Sequence, residues 1–444
     1  VYFPDLNNPN ENVRIYTTRA LVEDGTASIG ERIWDPLTEE FIDVGGSTEA
    51  WGWVNDKAII CDDPEAQSSD CTGRLYAAKA PLMSYLAVPV YRVLSLFAPT
   101  PELAVCVYWF RLCCVIAPTI VFLLLFYVFL GRYTESRWVR SAVVTFYGVG
   151  TMAFTYGQLF AGHQPAAISL FSAFMLISLI RDSQRRAPWW WHAGVGFFLA
   201  LAVGFEYPSL FPAVALGIFY LGFRPRWGHL CALIAGAAPI VLAVALFQHE
   251  VFGAFWRTPY TLLENEDFIE DMSPGFLGLR GPTPRSLVGC LFAPFNGLFF
   301  FTPWFYGLAV SVGLWFMKLR KRTLGEPSSR ERRDLGWALI LCLVLLTFVT
   351  SHALWRGGWA IGPRYIVTIT PFAALAVALA AERTRGIYPA MTAVILSGLG
   401  MASVVIRVGS SMVSNGFPTS FYNPLIEVVL PLFSDGYLAA NAGY

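Results

Sequence analysis

Charged side chains are scarce in this 444-residue sequence: they make up 14% of it, against 55% hydrophobic and 16% aromatic residues. A soluble globular domain carries about 25% charged residues. A chain that embeds in lipid sheds them, because a charge at mid-bilayer costs roughly 2.5–3.5 kcal/mol on insertion scales. Net charge is lacking too. Lys plus Arg and Asp plus Glu number 31 each, so no basic excess points to a nucleic-acid partner. No Gly-rich phosphate loop and no HExxH or GxSxG motif is present, which leaves ATP-driven transport and zinc proteolysis without motif support. Neither an internal repeat nor a long soluble domain is apparent.

What is present is a succession of apolar runs. Residues 1–80 are polar, and the chain begins at Val1 rather than Met, so an upstream segment is expected. Beyond them, stretches near the ~20 residues that a bilayer requires fall at 103–130, 141–157, 165–180, 188–205, 207–223, 229–247, 298–317, 336–350, 366–381 and 388–406. The expected architecture is an all-α polytopic integral membrane protein of about ten spans, with one more upstream. Its first loop is extracytoplasmic and bears short helices. Segments 82–98 and 247–296, interrupted by Pro, Gly and charge, read as interfacial. The chain thus divides into a first loop with an interfacial helix (1–102), transmembrane helices (103–247), an extracytoplasmic or interfacial segment (248–297), transmembrane helices (298–406) and an extracytoplasmic tail (407–444).

Orientation follows from the basic residues, which favour the cytoplasmic side of short loops. With residue 1 outside, the inner loops hold Arg132, Arg137 and Arg140; Arg181, Arg185 and Arg186; Arg224 and Arg226; Lys318, Arg320, Lys321, Arg322, Arg330, Arg332 and Arg333; and Arg383 and Arg385. These five loops carry 17 of the 31 basic residues, so the rule selects one topology. Of eight cysteines, six lie in or beside apolar runs. Cys61 and Cys71 instead bound a polar stretch, CDDPEAQSSDC, and read as a disulfide in an oxidising compartment. Their spacing is not that of a zinc site.

The outer segments carry patterned residues. They are PNENVRIYTTRALVEDG with Glu11 and Arg14, VNDKA with Asp56 and Lys57, and GRLYAAKAPLMSYLAVPVY with Tyr76 and Lys79. Farther on come FNGLFFFTPW and WRGGWAIGPRYIVTITPF, the latter with Trp355, Arg356, Trp359, Arg364 and Tyr365. In this order the motifs resemble the glycosyltransferase C superfold. In particular they resemble those of bacterial relatives of protein O-mannosyltransferases and of the lipid A aminoarabinose transferase. The resemblance implies a transferase that takes a sugar from a polyprenyl-phosphate-type lipid donor. It would pass that sugar, usually with inversion, to a lipid, glycan or protein acceptor on the non-cytoplasmic face. It also implies a multi-pass protein of the bacterial inner membrane with its active site facing the periplasm. Asn10 stands where the family usually has Asp.

The residue chemistry can be read beside that resemblance. Inverting displacement needs a carboxylate to take the acceptor proton; Glu11 is the first candidate and Asp56 the reserve, while an acid near a helix N-terminus also simply complements the dipole. A lipid phosphate leaving group gathers negative charge that fixed cations stabilise. Lys79, Arg356 and Arg364 are the candidates for that, against the alternative of basic residues snorkelling at the interface. Tyr76, His163, Glu206, Trp355, Trp359 and Tyr365 are candidate substrate-binding residues; His163 and Glu206 equally read as interfacial or helix-end groups. The acidic run Glu264, Glu266, Asp267, Glu270 and Asp271 could hold a divalent cation, or be a solvated charge run; no other cofactor is implied. Two further functions stay open: a non-catalytic subunit that uses the fold as a scaffold, and a transporter of lipid-linked saccharides.

Overall fold

The computed structural model of the protein describes residues 8–183, 186–272, 278–316, 328–414, 416–418 and 420–438. Arg185, Lys318, Arg320, Lys321 and Arg322, and the side chain of Asp271, lie outside the described residues. All ten apolar segments are largely helical where they are described, with 298–317 interrupted at Thr302. Among the described residues six helices are long and apolar enough to cross a bilayer: Leu103–Leu130, His163–Asp182, Trp227–Phe252, Ser329–Ser351, Arg364–Arg385 and Pro389–Val413. Trp189–Phe205 and Tyr207–Leu221 are shorter apolar helices, parted only by Glu206, whose extended backbone (φ −148°, ψ 113°) ends the first of them. The 141–157 segment is broken in the same way at Thr151, between Arg137–Gly150 and Met152–Tyr156. Phenylalanines fill much of the space between helices: Phe122, Phe126, Phe129, Phe171, Phe174 and Phe372 are all buried in one cluster. Their rings meet mostly edge to face, the favoured arrangement for aromatic quadrupoles.

Charge separates to the two ends of this bundle. Asp182 accepts contacts from Arg132, from Arg330 at 2.5 Å and from Arg333 at 3.4 Å. Thr134 donates to Glu382 and Arg383 to Glu331, both at 2.5 Å. Four of the five loops expected on the inner side are therefore in mutual contact at one end. The His163–Asp182 helix has 20 residues and so spans about 30 Å. It leads from that end to a second polar cluster at the other.

The first segment departs from the expectation of short helices alone. Besides α1 (Pro9–Glu23) and α2 (Gly46–Trp51) it contains four strands. These are β1 (Gly30–Asp35), β2 (Glu40–Val44), β3 (Lys57–Cys61) and β4 (Gly73–Ala77), paired antiparallel in the order β2-β1-β4-β3. Each strand is five or six residues long, too short for a clear alternation of apolar and polar side chains. Cys61 and Cys71 are disulfide-bonded, as their setting implied, and the bridge closes the loop between β3 and β4. Gly73 is required there: a Cβ would lie 2.1 Å from the Ile60 carbonyl oxygen. The interfacial segment expected at 82–98 is α3 (Leu82–Ser95), which packs on α1.

Although polar in sequence, α1 is buried on nearly every side. Burying polar groups is tolerable when they are paired, and most of those on α1 are. Tyr16 donates to the Trp51 carbonyl at 2.8 Å, Ser47 to the Tyr16 carbonyl at 3.1 Å, and Thr18 to the Ser84 carbonyl at 3.1 Å. Glu11 and Arg14 reach much farther along the chain, and they place α1 on the bundle.

Candidate active site

Arg14 Nη2 donates to Glu206 Oε1 at 2.8 Å, joining α1 to the break between the two short apolar helices. His163 Nδ1, at the first residue of its helix, lies 3.6 Å from the same carboxylate oxygen. The close approach depends on Gly162, because a Cβ there would sit 2.2 Å from the Phe205 carbonyl and 2.7 Å from Glu206 Oε1. His163 also meets Tyr156 and Tyr365 edge-on, with ring centroids 5.3 and 6.2 Å apart. Tyr365 adjoins Arg364, whose guanidinium lies 5.3 Å from the Tyr365 ring centroid.

Asp56 enters from the sheet-bearing first segment. Its φ of +65° is a left-handed conformation that Asp and Asn tolerate better than other non-Gly residues. Such outliers persist where the surroundings over-determine them, often at functional sites. Two links fix it: the Asp56 carbonyl accepts the Ala78 amide at 2.8 Å, and Oδ1 pairs with Lys79 Nζ at 3.0 Å. Burial would raise the Asp56 carboxyl; Lys79, then Arg364 and Arg14, outweigh it and hold the group below its ordinary value. Those three cations therefore share one electrostatic neighbourhood with it. Burial, then Glu206 and Tyr365, likewise push Tyr260 well above its ordinary value, so the 248–297 segment also borders the cluster.

The charges do not cancel. Arg14 is taken by Glu206 and Lys79 by Asp56, whereas Arg364 has no carboxylate partner among the described residues, and its Nε is buried without a hydrogen bond. Gly357, at φ +75°, lies flat on this side chain; a Cβ would come within 3.0 Å of Arg364 Cγ. Three fixed cations and two carboxylates thus leave positive charge at the one guanidinium without an acid, which is what an incoming anion requires.

Glu11 is placed differently. It has no solvent exposure and receives a bidentate pair from Arg111, Nε to Oε1 at 2.8 Å and Nη2 to Oε2 at 2.7 Å, together with the Phe160 amide on Oε1. With both oxygens committed to the protein, the carboxylate ties α1 to the Leu103–Leu130 helix. Asn10 is also engaged, since its side-chain oxygen accepts from Arg14.

The remaining candidates scatter. Tyr76 is packed between the sheet and Phe252, at 6.0 Å edge to face. Trp355 lies on Gly289 and Phe295, the Arg356 guanidinium stacks 4.2 Å over Phe295, and Trp359 is 63% exposed. Trp355 and Arg356 thus face the 284–296 segment rather than Asp56. In the acidic run, Glu264 bridges Arg32 and Lys57 in a buried network with Asp43, which clamps the sheet to that run. Glu266, Asp267 and Glu270 are exposed. Among the described residues no group of three or more His, Cys, Asp or Glu side chains has the arrangement to hold a metal ion. Sequence reasoning missed Arg111, Arg407 and Tyr260; for the two arginines the available signal was a lone cation within an apolar helix. No family model and no curated protein sequence matches the chain.

Proposed function

We propose that this protein is an inverting glycosyltransferase that spans the membrane about ten times and uses a polyprenyl-phosphate-type sugar donor at the outer end of the bundle. The observation that carries the reading is the arrangement of Asp56, Lys79 and Arg364: a carboxylate held ionised beside a cation that has no acid of its own. In this reading an acceptor hydroxyl or amine attacks the anomeric carbon while its proton passes to Asp56. The bond from that carbon to the phosphate oxygen breaks, and its electron pair stays on the phosphate. Arg364, with the planar fork that suits phosphate, and Lys79 stabilise the departing charge. His163, Tyr365 and Tyr260 border the sugar, and the Arg14–Glu206 pair holds the floor. Asp56 rather than Glu11 is the base, because Glu11 is fully buried with both oxygens already bonded to the protein.

One observation favours a second reading. The complete engagement of Glu11 and Asn10 is what a non-catalytic subunit with this architecture would also show. Transfer from a panel of polyprenyl-phosphate sugars, by membranes carrying the wild type or Asp56→Asn, separates the two. Loss of a general base lowers turnover by roughly 10²–10⁴-fold, and that is the expected result with donor binding retained. Equal turnover in the variant removes Asp56 from the chemistry. Lipid movement between leaflets without transfer would replace the enzyme with a transporter.

A further inference from the structure

Arg407 lies six residues before the end of the Pro389–Val413 helix and has no solvent exposure. Its guanidinium donates to the Ile361 carbonyl at 2.7 Å and, through Nε and Nη2, to Thr302 Oγ1 at 3.3 and 3.0 Å. The Phe301 ring centroid is 5.4 Å away. No carboxylate pairs with it among the described residues. A lone cation enclosed in an apolar helix is among the costliest placements a side chain can take, so the groups it holds bear on function.

Those groups belong to the turn that carries Arg364. Ile361 and Gly362 run through Pro363 directly into it. Gly362 has φ +76°, and a Cβ there would meet Arg407 Nη2 at 2.8 Å and Nη1 at 3.2 Å, so the turn is shaped around the guanidinium. On the other side, Gly357 closes over the stem of Arg364. The loop is therefore pinned from within the bundle by Arg407 and laid against Arg364 from outside. The fork matters: one planar group donates to Thr302 and to Ile361 at once, in a geometry that a single ammonium does not reproduce.

We propose that Arg407 is a positioning residue for Arg364, holding the Ile361–Arg364 turn so that the Arg364 guanidinium faces Asp56 and an anionic lipid phosphate. Only the last step of this inference rests on the function proposed above; the holding of the turn does not.

The test uses the full chain in lipid nanodiscs and compares Arg407→Lys, Thr302→Val, Arg364→Gln and the Arg407→Lys/Arg364→Gln double variant. Hydrogen exchange and binding of polyprenyl monophosphate are measured on each. Arg407→Lys and Thr302→Val are expected to speed exchange of the amides in 356–366 while those in 163–182 keep wild-type protection. Both should weaken polyprenyl monophosphate about tenfold, the low end of what a misaligned charge-assisted hydrogen bond costs. The double variant should bind no more weakly than Arg364→Gln alone, since both changes act through one side chain. Unchanged exchange over 356–366 in both single variants overturns the positioning role. So does an Arg407→Lys loss that adds in full to that of Arg364→Gln. Should Arg364→Gln leave binding intact, the phosphate reading fails, and the exchange result decides the turn-holding role by itself. If Arg407→Lys does not fold, Thr302→Val carries the same comparison, because it removes one hydroxyl and little volume.

Discussion

Removing Glu11 should damage the fold rather than the chemistry. In Glu11→Ala the Arg111 guanidinium, whose side chain is 3% exposed, is left buried with its bidentate partner gone. Breaking a buried pair from one side costs about 3–5 kcal/mol. The Phe160 amide also loses its acceptor, and an orphaned buried donor costs about 1–3 kcal/mol. Against a typical total of about 5–15 kcal/mol, the variant is marginal. Taking both charges away in Glu11→Leu/Arg111→Met leaves only the amide unsatisfied, so it should recover most of the loss. The assay is chemical denaturation in nanodiscs, with hydrogen exchange over α1 as the local readout. Glu11→Gln keeps an acceptor for Phe160, and its folded fraction should turn over close to wild type. A Glu11→Gln protein of full stability with abolished transfer would refute this reasoning and return the base to Glu11.

Three other outcomes are expected. Because the Asp56 carboxyl is held below its ordinary value by Lys79 and Arg364, its contribution to stability is complete above the unfolded carboxylate pKa of about 3.9. It is lost only as pH falls through the still lower folded value; a pH series of turnover and melting should show no Asp56 limb between pH 5 and 7, and Asp56→Asn should remove whatever limb lies below pH 4. Gly162→Ala should push Glu206 off Arg14 and His163, since the added Cβ would fall 2.2 Å from the Phe205 carbonyl; a lowered melting temperature together with weaker donor binding is the expected pair, and an unaltered Arg14–Glu206 contact in a variant structure would contradict it. Reduction of Cys61–Cys71, ten residues apart, should cost the sheet-bearing first segment about 2–3 kcal/mol, read as faster exchange in β3 and β4 while the membrane helices keep their protection.

Much of the architecture was legible because the bilayer imposes one-dimensional constraints. Length and apolarity mark the helices, and the arginines of the short loops mark one end, which the Arg132, Arg330 and Arg333 contacts with Asp182 realise. The sheet was not legible: strands as short as KAIIC and GRLYA lack a strong period, and their pairing partners lie across α2 and a disulfide loop. The partners of the site residues were hidden for a different reason. Glu11 and Arg111 are a hundred residues apart, and nothing in either local sequence says that one neutralises the other. The same holds for Arg14 and Glu206. Asp56 and Lys79 flank β3 and β4, so their pairing became visible only with the sheet. Arg407 stood one residue beyond the last expected span, where the helix in fact continues to Val413.

The central claim is that Asp56, Lys79 and Arg364 form one site for the phosphate of a lipid-linked sugar. A structure determined with polyprenyl phosphate bound in nanodiscs tests it most directly. The head group should lie within hydrogen-bond reach of Arg364, on the side facing Lys79 and Asp56. A head group held instead by Arg132 and Arg330 at the opposite end of the bundle would contradict it.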